Sequence, residues 1–273
     1  MLSLYLLTGP GICGTPWAID MWLKGQKLPR PSTQTYIVSP NGRFLIHFDT
    51  SGSNAVSQEY AESIAVYAEH AWDVYINQMG WYKPPSDGSL GGDSCYDIYI
   101  QALPDPILGY TYPEGYAGDY EGGYSHIVIG RDQDWITLRN TVVHEFQHAC
   151  QMGYEFPDGS NYNVWYMENT AVWGQEMCYP DDDEYMGYLY SIGPLKRPNY
   201  EIIHMTDTDL YEYAGVVWNM FLMTWAADTD VVRKVWEHKG EDPGHETLAP
   251  IDDILIWHYS KNLTEALRDY AVA

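Results

Sequence analysis

The sequence predicts an α+β fold, and the order of its segments is the main reason. Segments with the alternating, β-rich pattern of strands lie in the first half of the chain, where they accompany a single early helix. Segments with helical periodicity dominate the second half. Strands that are followed by helices, without regular alternation, are typical of α+β proteins.

The elements follow in chain order. Residues 1–35 are rich in glycine and proline and predict an irregular N-terminal arm. Residues 36–273 predict one domain, with a sheet-containing lobe at 36–153 and a mostly helical lobe at 154–273. Residues 103–124, dense in proline, glycine and tyrosine, predict a long loop. We predict strands at 36–38, 44–48, 97–101 and 126–130, and helices at 58–79, 135–152, 164–177, 213–225, 230–239, 251–259 and 263–270.

The charge balance narrows the set of partners. The chain carries 38 acidic against 14 basic residues, a net charge of −24. Such a surface repels nucleic acid and anionic membranes, so we expect neither as a partner. No apolar run approaches the roughly 18 residues of a membrane span. We expect an extracellular or cell-surface protein.

Four cysteines are present, and none of them has C-x-x-C spacing. Outside the cell they would form one or two disulfides, and Cys150 with Cys178 is a plausible pair. In a cytosolic protein they would be buried thiols. Cys13 could instead block a bound metal as a thiolate, although we favour a disulfide or a buried thiol for it.

The central motif is His144-Glu145-Phe146-Gln147-His148, which reads H-E-x-x-H. One helical turn separates the histidines, so both rings project from the same helix face. Two imidazoles in this arrangement can bind zinc at about 2.0–2.1 Å, and the adjacent glutamate can reach a water on the metal. The pattern is typical of metal-dependent peptidases.

A third ligand is predicted at Glu168, 20 positions after His148. The interval has room for a helix end, a loop and a second helix. Two histidines and one glutamate would leave the fourth zinc position for water, as in catalytic sites. Glu168 stands among large apolar residues, where an unpaired carboxylate would be expensive to bury. Glu176 is the competing candidate.

With Glu168 included, the motif resembles the gluzincin class of zinc metallopeptidases. The interval to Glu168 is similar to that of thermolysin-like enzymes. The context W-x-x-E-x-x-A-x-W, from Trp165 to Trp173, resembles more closely that of aminopeptidase-like gluzincins and of little-characterised bacterial and archaeal metalloproteases. The resemblance implies a zincin-like fold. The G-A-M-E-N motif of aminopeptidases is absent, and Val172 stands where thermolysin-like enzymes carry an acid.

The resemblance also implies roles for residues. Zinc would activate a water, and Glu145 would act as general base and then as general acid. Gluzincins stabilise the oxyanion with a tyrosine or histidine. We favour Tyr213 for that role and keep Tyr211, His204 and His245 as alternatives. Strand 126–130 is our candidate for holding a protein or peptide substrate by backbone pairing, although it could equally be a central strand.

The sequence therefore predicts a zinc-dependent endopeptidase with one catalytic Zn²⁺. A non-catalytic zinc-binding module and a zinc hydrolase directed at carbohydrate or glycopeptide are the alternatives, as is a motif that arose by chance. A Ca²⁺ site at the acidic run 181–184 is a weaker expectation, because that run lacks the alternating spacing of an EF-hand loop.

Overall fold

The computed structural model describes residues 11–118, 122–157, 163–205, 210–241 and 247–273. The chain divides into two compact units, Met1–Gly153 and Tyr154–Ala273. A six-stranded mixed sheet together with several helices confirms the α+β prediction at the level of fold class. Within the described ranges, we find no helix with the length and hydropathy needed to span a bilayer.

The described part of the first unit contains the sheet and three helices. A π-helical turn, Asp73–Gln78, extends the second of these helices. The strands are β1 Ile12–Cys13, β2 Thr35–Val38, β3 Phe44–Phe48, β4 Tyr96–Gln101, β5 Ile107–Tyr116 and β6 Gly123–Gly130. The helices are α1 Thr15–Leu23, α2 Gln58–Trp72 and α3 Trp135–Met152.

The strand order in the sheet is β1-β5-β6-β4-β3-β2. The β1–β5, β6–β4 and β4–β3 pairs are parallel, whereas β5–β6 and β3–β2 are antiparallel. The N-terminal segment therefore supplies one edge of the sheet, beside β5. This position matters for the site described below.

The structure corrects three of the expectations from sequence. The predicted loop at 103–124 contains strand β5, and the predicted irregular arm contains β1 and α1. Strand β6 lies between β4 and β5, so it is the central strand that was kept as the alternative, and it cannot pair with a substrate by its edge. Proline at the start of α1 is compatible with a helix, since the first helical position needs no amide hydrogen.

Helix α3 has the predicted bounds, and both of its ends have a local cause. The side chain of Asp134 caps the helix by accepting bonds from the amides of Ile136 and Thr137. The helix ends before Gly153. Phe146 is fully buried and packs edge-on against Phe44, with ring centroids 5.2 Å apart. This contact anchors the motif helix in the core of the first unit.

The described part of the second unit is helical. The segment predicted as one helix at 213–225 is split at Gly215, which packs so closely on Asn169 that a β-carbon there would lie 2.5 Å from the amide nitrogen. A buried ion pair joins Lys239 to Glu155 at 2.8 Å. The helices are α4 Val164–Cys178, α5 Tyr185–Ser191, α6 Tyr211–Ala214, α7 Val216–Ala226, α8 Val231–Glu241, α9 Leu248–Tyr259 and α10 Leu263–Tyr270.

Candidate metal centre

The two motif histidines lie side by side on α3. Their ring centroids are 4.7 Å apart, and both side chains are buried. Each ring can offer a nitrogen to a metal, and Cys13 can offer its sulfur. These ligand atoms all lie within 4.8 Å of one another. The first unit therefore brings together three groups that could bind one ion.

Cys13 reaches the histidines because β1 pairs with β5. Its Sγ lies 3.3 Å from Nε2 of His148, a residue 135 positions later in the chain. The amide of Thr15 also points at this sulfur, at 3.3 Å. Sequence reasoning treated Cys13 as a disfavoured alternative, because no spacing rule connects residues so far apart in the chain.

His148 is oriented by a neighbour on its own helix. Its Nδ1 lies 2.9 Å from Oε1 of Gln151, one turn further along. Since that amide oxygen only accepts, Nδ1 donates, and the lone pair of the ring is then on Nε2, the atom beside Cys13. Sequence reasoning missed Gln151, although its i+3 spacing from His148 was a usable signal.

Glu145 is buried between the helix and the N-terminal arm. Its Oε2 accepts hydrogen bonds from Oγ1 of Thr15 at 2.8 Å and from Oγ1 of Thr111 at 2.9 Å. Its Oε1 is buried and has no hydrogen-bond partner among the residues that the structure describes. One oxygen is thus held in place while the other remains available to a group that enters the site.

A glycine on β5 lets the motif helix approach the sheet. A β-carbon at Gly109 would lie 3.0 Å from Cγ2 of Thr141 and 3.2 Å from Cγ of Glu145. Both neighbours belong to α3, so a larger residue at Gly109 would push the helix, and Glu145 with it, away from β5.

The other predicted site residues lie in the second unit. Glu168 is fully buried on α4, within the tryptophan-rich segment that was predicted to hold it. Tyr213 is buried on α6, with its ring 5.2 Å from that of Tyr188. Helices α4 and α6 pack against each other.

The alternatives named from sequence lie in different surroundings. The rings of Tyr200, His204 and Tyr211 form an aromatic cluster in the second unit. His245 lies outside the described residues. Glu176, the competing ligand, is buried on α4. Burial and the nearby carboxylates, Asp183 first among them, raise its pKa to about 7.

The disulfide expectation was wrong, because no disulfide joins any two of the four cysteines, all of which are described. The surroundings of two of them give the physical reason. Cys13 Sγ faces His148, and Cys95 Sγ donates to the carbonyl of Gly42 at 3.3 Å. The acidic run 181–184 supplies no group of three neighbouring metal ligands in the described part of the chain. Calcium remains a prediction there.

A cavity of about 720 Å³ in the first unit is distinct from the candidate ligands. Three tyrosines, Tyr82, Tyr116 and Tyr124, form much of its wall, and Gly153, directly after α3, also lines it. None of the residues that line it is a predicted site residue. The cavity therefore shares no residue with the group of candidate ligands.

The donor set fits zinc better than the common alternatives. Imidazole and thiolate suit zinc, whereas magnesium and calcium prefer oxygen ligands. The buried Glu145 oxygen without a partner also fits a site that takes up a further polar group. No family model matches the chain, and a search of the curated proteins also finds no match. Function must therefore be argued from the site itself.

Proposed function

We propose that this chain is a zinc-dependent endopeptidase. The observation that carries the proposal is the state of Glu145: it follows a candidate ligand directly, one carboxylate oxygen is fixed by two threonines, and the other is buried without a partner. A general base needs a fixed orientation and an oxygen that can reach the water it deprotonates. The fixed Oε2 and the unpartnered Oε1 of Glu145 support this role.

We assign His144, His148 and Glu168 as the zinc ligands. The histidines lie together in the first unit, and Glu168 is proposed from its spacing, its burial and its resemblance to the gluzincin pattern. A carboxylate as deeply buried as Glu168 requires a compensating partner, and a divalent cation is a suitable one. Gln151 supports the assignment, because it directs Nε2 of His148 outward as an acceptor.

Each residue of the proposed site would then have its own role in the reaction. Bound zinc would polarise the scissile carbonyl and acidify a water. Glu145 would take the proton from that water and pass it to the leaving amine. Thr15 and Thr111 would hold the Glu145 carboxylate in place during the transfer. Tyr213 is our proposed donor to the oxyanion, a role that typically contributes a factor of about 10²–10³.

The test compares Glu145→Gln with the wild type after loading with zinc. Cleavage of a peptide library is read by mass spectrometry, and zinc content is measured in parallel. We expect Glu145→Gln to keep zinc and to lose cleavage by at least about 10²-fold, because the amide cannot accept the proton. Glu62→Gln, an exposed position on α2, makes the same chemical change away from the site and should cleave as the wild type does.

The same assay is run on Cys13→Ser, because the Cys13 sulfur lies beside His148. If neither the wild type nor Cys13→Ser cleaves any peptide while binding zinc, the peptidase proposal is wrong.

That outcome would favour a second candidate, a non-catalytic zinc site. Cys13 is the specific observation behind it. A thiolate added to two histidines and one glutamate completes four protein ligands, the closed coordination of a structural site. The two candidates therefore differ in one property, whether the Cys13 sulfur can leave the site.

A further inference from the structure

Three contacts connect the N-terminal segment to the groups that the proposed reaction needs. Cys13 Sγ lies 3.3 Å from Nε2 of His148. Thr15 Oγ1 donates to Glu145 at 2.8 Å. Strand β1 runs along β5. The amide of Ile12 donates to the carbonyl oxygen of Pro106 at 3.0 Å, and the amide of Gly14 donates to the carbonyl oxygen of Gly109 at 2.7 Å. One short segment therefore contacts a ligand, the base and the outer edge of the sheet.

The Cys13 sulfur is placed as a metal ligand would be. It belongs to the same group of ligand atoms as the two histidines, all within 4.8 Å. The amide of Thr15 points at it, which favours a negatively charged sulfur. The buried Glu145 oxygen without a partner, in the adjacent motif position, independently indicates that this site takes up a further group.

Together these observations conflict with a site that is ready for catalysis. Zinc in peptidase sites keeps one position open for water. With Cys13 bound alongside the three proposed ligands, four protein groups would fill the tetrahedral positions. Either the site is permanently closed, or the sulfur leaves before substrate is cleaved.

We propose that residues 12–14 form an internal inhibitor, in which the Cys13 thiolate occupies the metal position that the catalytic water requires, while Thr15, the first residue of α1, stays bonded to Glu145. This inference rests on the proposed peptidase function. Activation would be a ligand exchange: the Cys13 thiolate would leave its ligand position and take a proton from solvent, and that position would become available to water. The same movement frees the outer edge of β5, where an extended peptide could pair by its backbone. The inhibitor thus covers the metal position and a strand-pairing edge together.

The length of β1 makes such a movement plausible in energetic terms. It has two residues, and the bonds of Ile12 and Gly14 hold its backbone to β5. Short edge elements with few backbone bonds open at much lower free energy than core strands. The histidines, in contrast, sit on an 18-residue helix anchored in the core. The sulfur can leave while the remaining ligands stay in place.

The first test measures ligation without using activity. The protein is loaded with Co²⁺, and sulfur ligation is read from the sulfur-to-cobalt charge-transfer absorption in the near ultraviolet. We expect the band in the wild type, its loss in Cys13→Ser, and its retention in Cys95→Ser, a matched control whose sulfur bonds to Gly42. Absence of the band from cobalt-loaded wild type would overturn the proposal and would leave the peptidase proposal standing.

The second test measures inhibition. Cys13→Ser should cleave the peptide library at least about tenfold faster than the wild type if more than nine molecules in ten are closed, because activity follows the open fraction. Equal activity of the two proteins would refute the inhibitory role while supporting the peptidase. A charge-transfer band with no cleavage by either protein would refute both proposals and indicate a closed structural site.

If Cys13→Ser fails to fold, chemical modification of Cys13 in the wild type tests the inhibitory role instead. Iodoacetamide forms a carbon–sulfur bond with a thiolate and releases iodide, so a modified sulfur can no longer return to the metal. In the folded wild type, we expect bound zinc to slow labelling of Cys13 at least about tenfold, as mapped by mass spectrometry, and labelling to raise activity. If zinc does not slow the labelling of Cys13, or if labelling does not raise peptidase activity, the proposed inhibitory role of Cys13 is wrong.

Discussion

Replacing Arg30 with methionine should destabilise the first unit strongly, in a way that depends on pH. Arg30 follows α1, and its guanidinium meets three carboxylates. Nε lies 2.7 Å from Glu114, Nη1 lies 2.6 Å from Asp97, and Nη2 contacts Asp87. The side chain of Asp97 is only 1% exposed and that of Glu114 13%. Without the arginine, these acids would lose the cation that compensates their burial.

The magnitude follows from Glu114. Burial alone would raise its pKa, but the bonds from Arg30 and His126 outweigh that effect and lower the pKa from 4.5 to about 2. A difference of this size corresponds to about 3 kcal/mol of stability. Removal of one partner from a buried ion pair typically costs about 3–5 kcal/mol. We therefore expect Arg30→Met to lower the free energy of unfolding by about 3–5 kcal/mol near neutral pH.

The pH dependence has a defined sign. Because the folded-state pKa of Glu114 is depressed, its contribution is complete above about pH 4.5 and is lost as the pH falls towards 2. Asp87 acts in the opposite direction, because burial raises its pKa although Arg30 lowers it. Ionised Asp87 therefore lowers the stability of the folded protein, and its protonation at low pH restores that stability. The difference between wild type and Arg30→Met should therefore narrow as the pH falls below about 4.5.

Urea unfolding followed by tryptophan fluorescence, from about pH 7 to pH 3, measures this difference. Arg268→Met is the matched control, because Arg268 pairs with Asp269 on an exposed surface and should leave the urea midpoint unchanged. A loss below about 1 kcal/mol near neutral pH, or a difference that does not vary with pH, would refute the reasoning.

Two further predictions concern a hydrogen bond to Glu145, the proposed base, and the buried carboxylate of Glu176. Thr111→Val removes the hydroxyl donor that lies 2.9 Å from Glu145 Oε2 and changes the side-chain volume little. The kcat/KM for peptide cleavage should therefore fall about tenfold, while the zinc content stays unchanged. A loss of zinc that matches the loss of activity would show a structural effect instead. The pKa of Glu176 is raised from 4.5 to about 7, so the stability of the wild type should decline as the pH rises from about 4.5 to about 7. Near pH 8, Glu176→Gln should be more stable than the wild type by up to about 3 kcal/mol. Below about pH 4.5 the two proteins should be equally stable. Thermal unfolding at the two pH values checks this, and a constant difference between the proteins would contradict it.

The elements that were predicted correctly are those whose causes are local. Helix α3 has a capping aspartate at 134, a continuous amphipathic segment and a glycine at 153, all readable from neighbouring residues. Strand β5 was missed for an equally local reason, since proline and glycine interrupt its pattern. The pairing of β5 with β6 shifts register between Pro113 and Gly115, an irregularity at which a strand tolerates these residues.

The parts of the site that were missed or disfavoured from sequence depend on strand order. Cys13 reaches His148 only because β1 lies beside β5 in the sheet, and Thr15 reaches Glu145 for the same reason. Periodicity along the chain carries no information about which strands become neighbours. The histidines and Glu145 were predictable because a single helical turn contains them.

The proposed inhibitor requires an arm that stays attached when β1 leaves, and the structure provides such an attachment. Helix α1 packs on β5, with Trp17 and Tyr110 in edge contact at 5.7 Å, and Arg30 joins the chain beyond it to β4 and β5 through buried carboxylates. The attachment on the C-terminal side of the arm is therefore ionic and buried, whereas β1 is a two-residue strand at the edge of the sheet. Loss of the Cys13 contact should thus open the site without releasing the arm, and reclosure should be fast because the sulfur remains tethered close to the histidines. A weak strand beside a strong anchor is the arrangement expected of a reversible inhibitor.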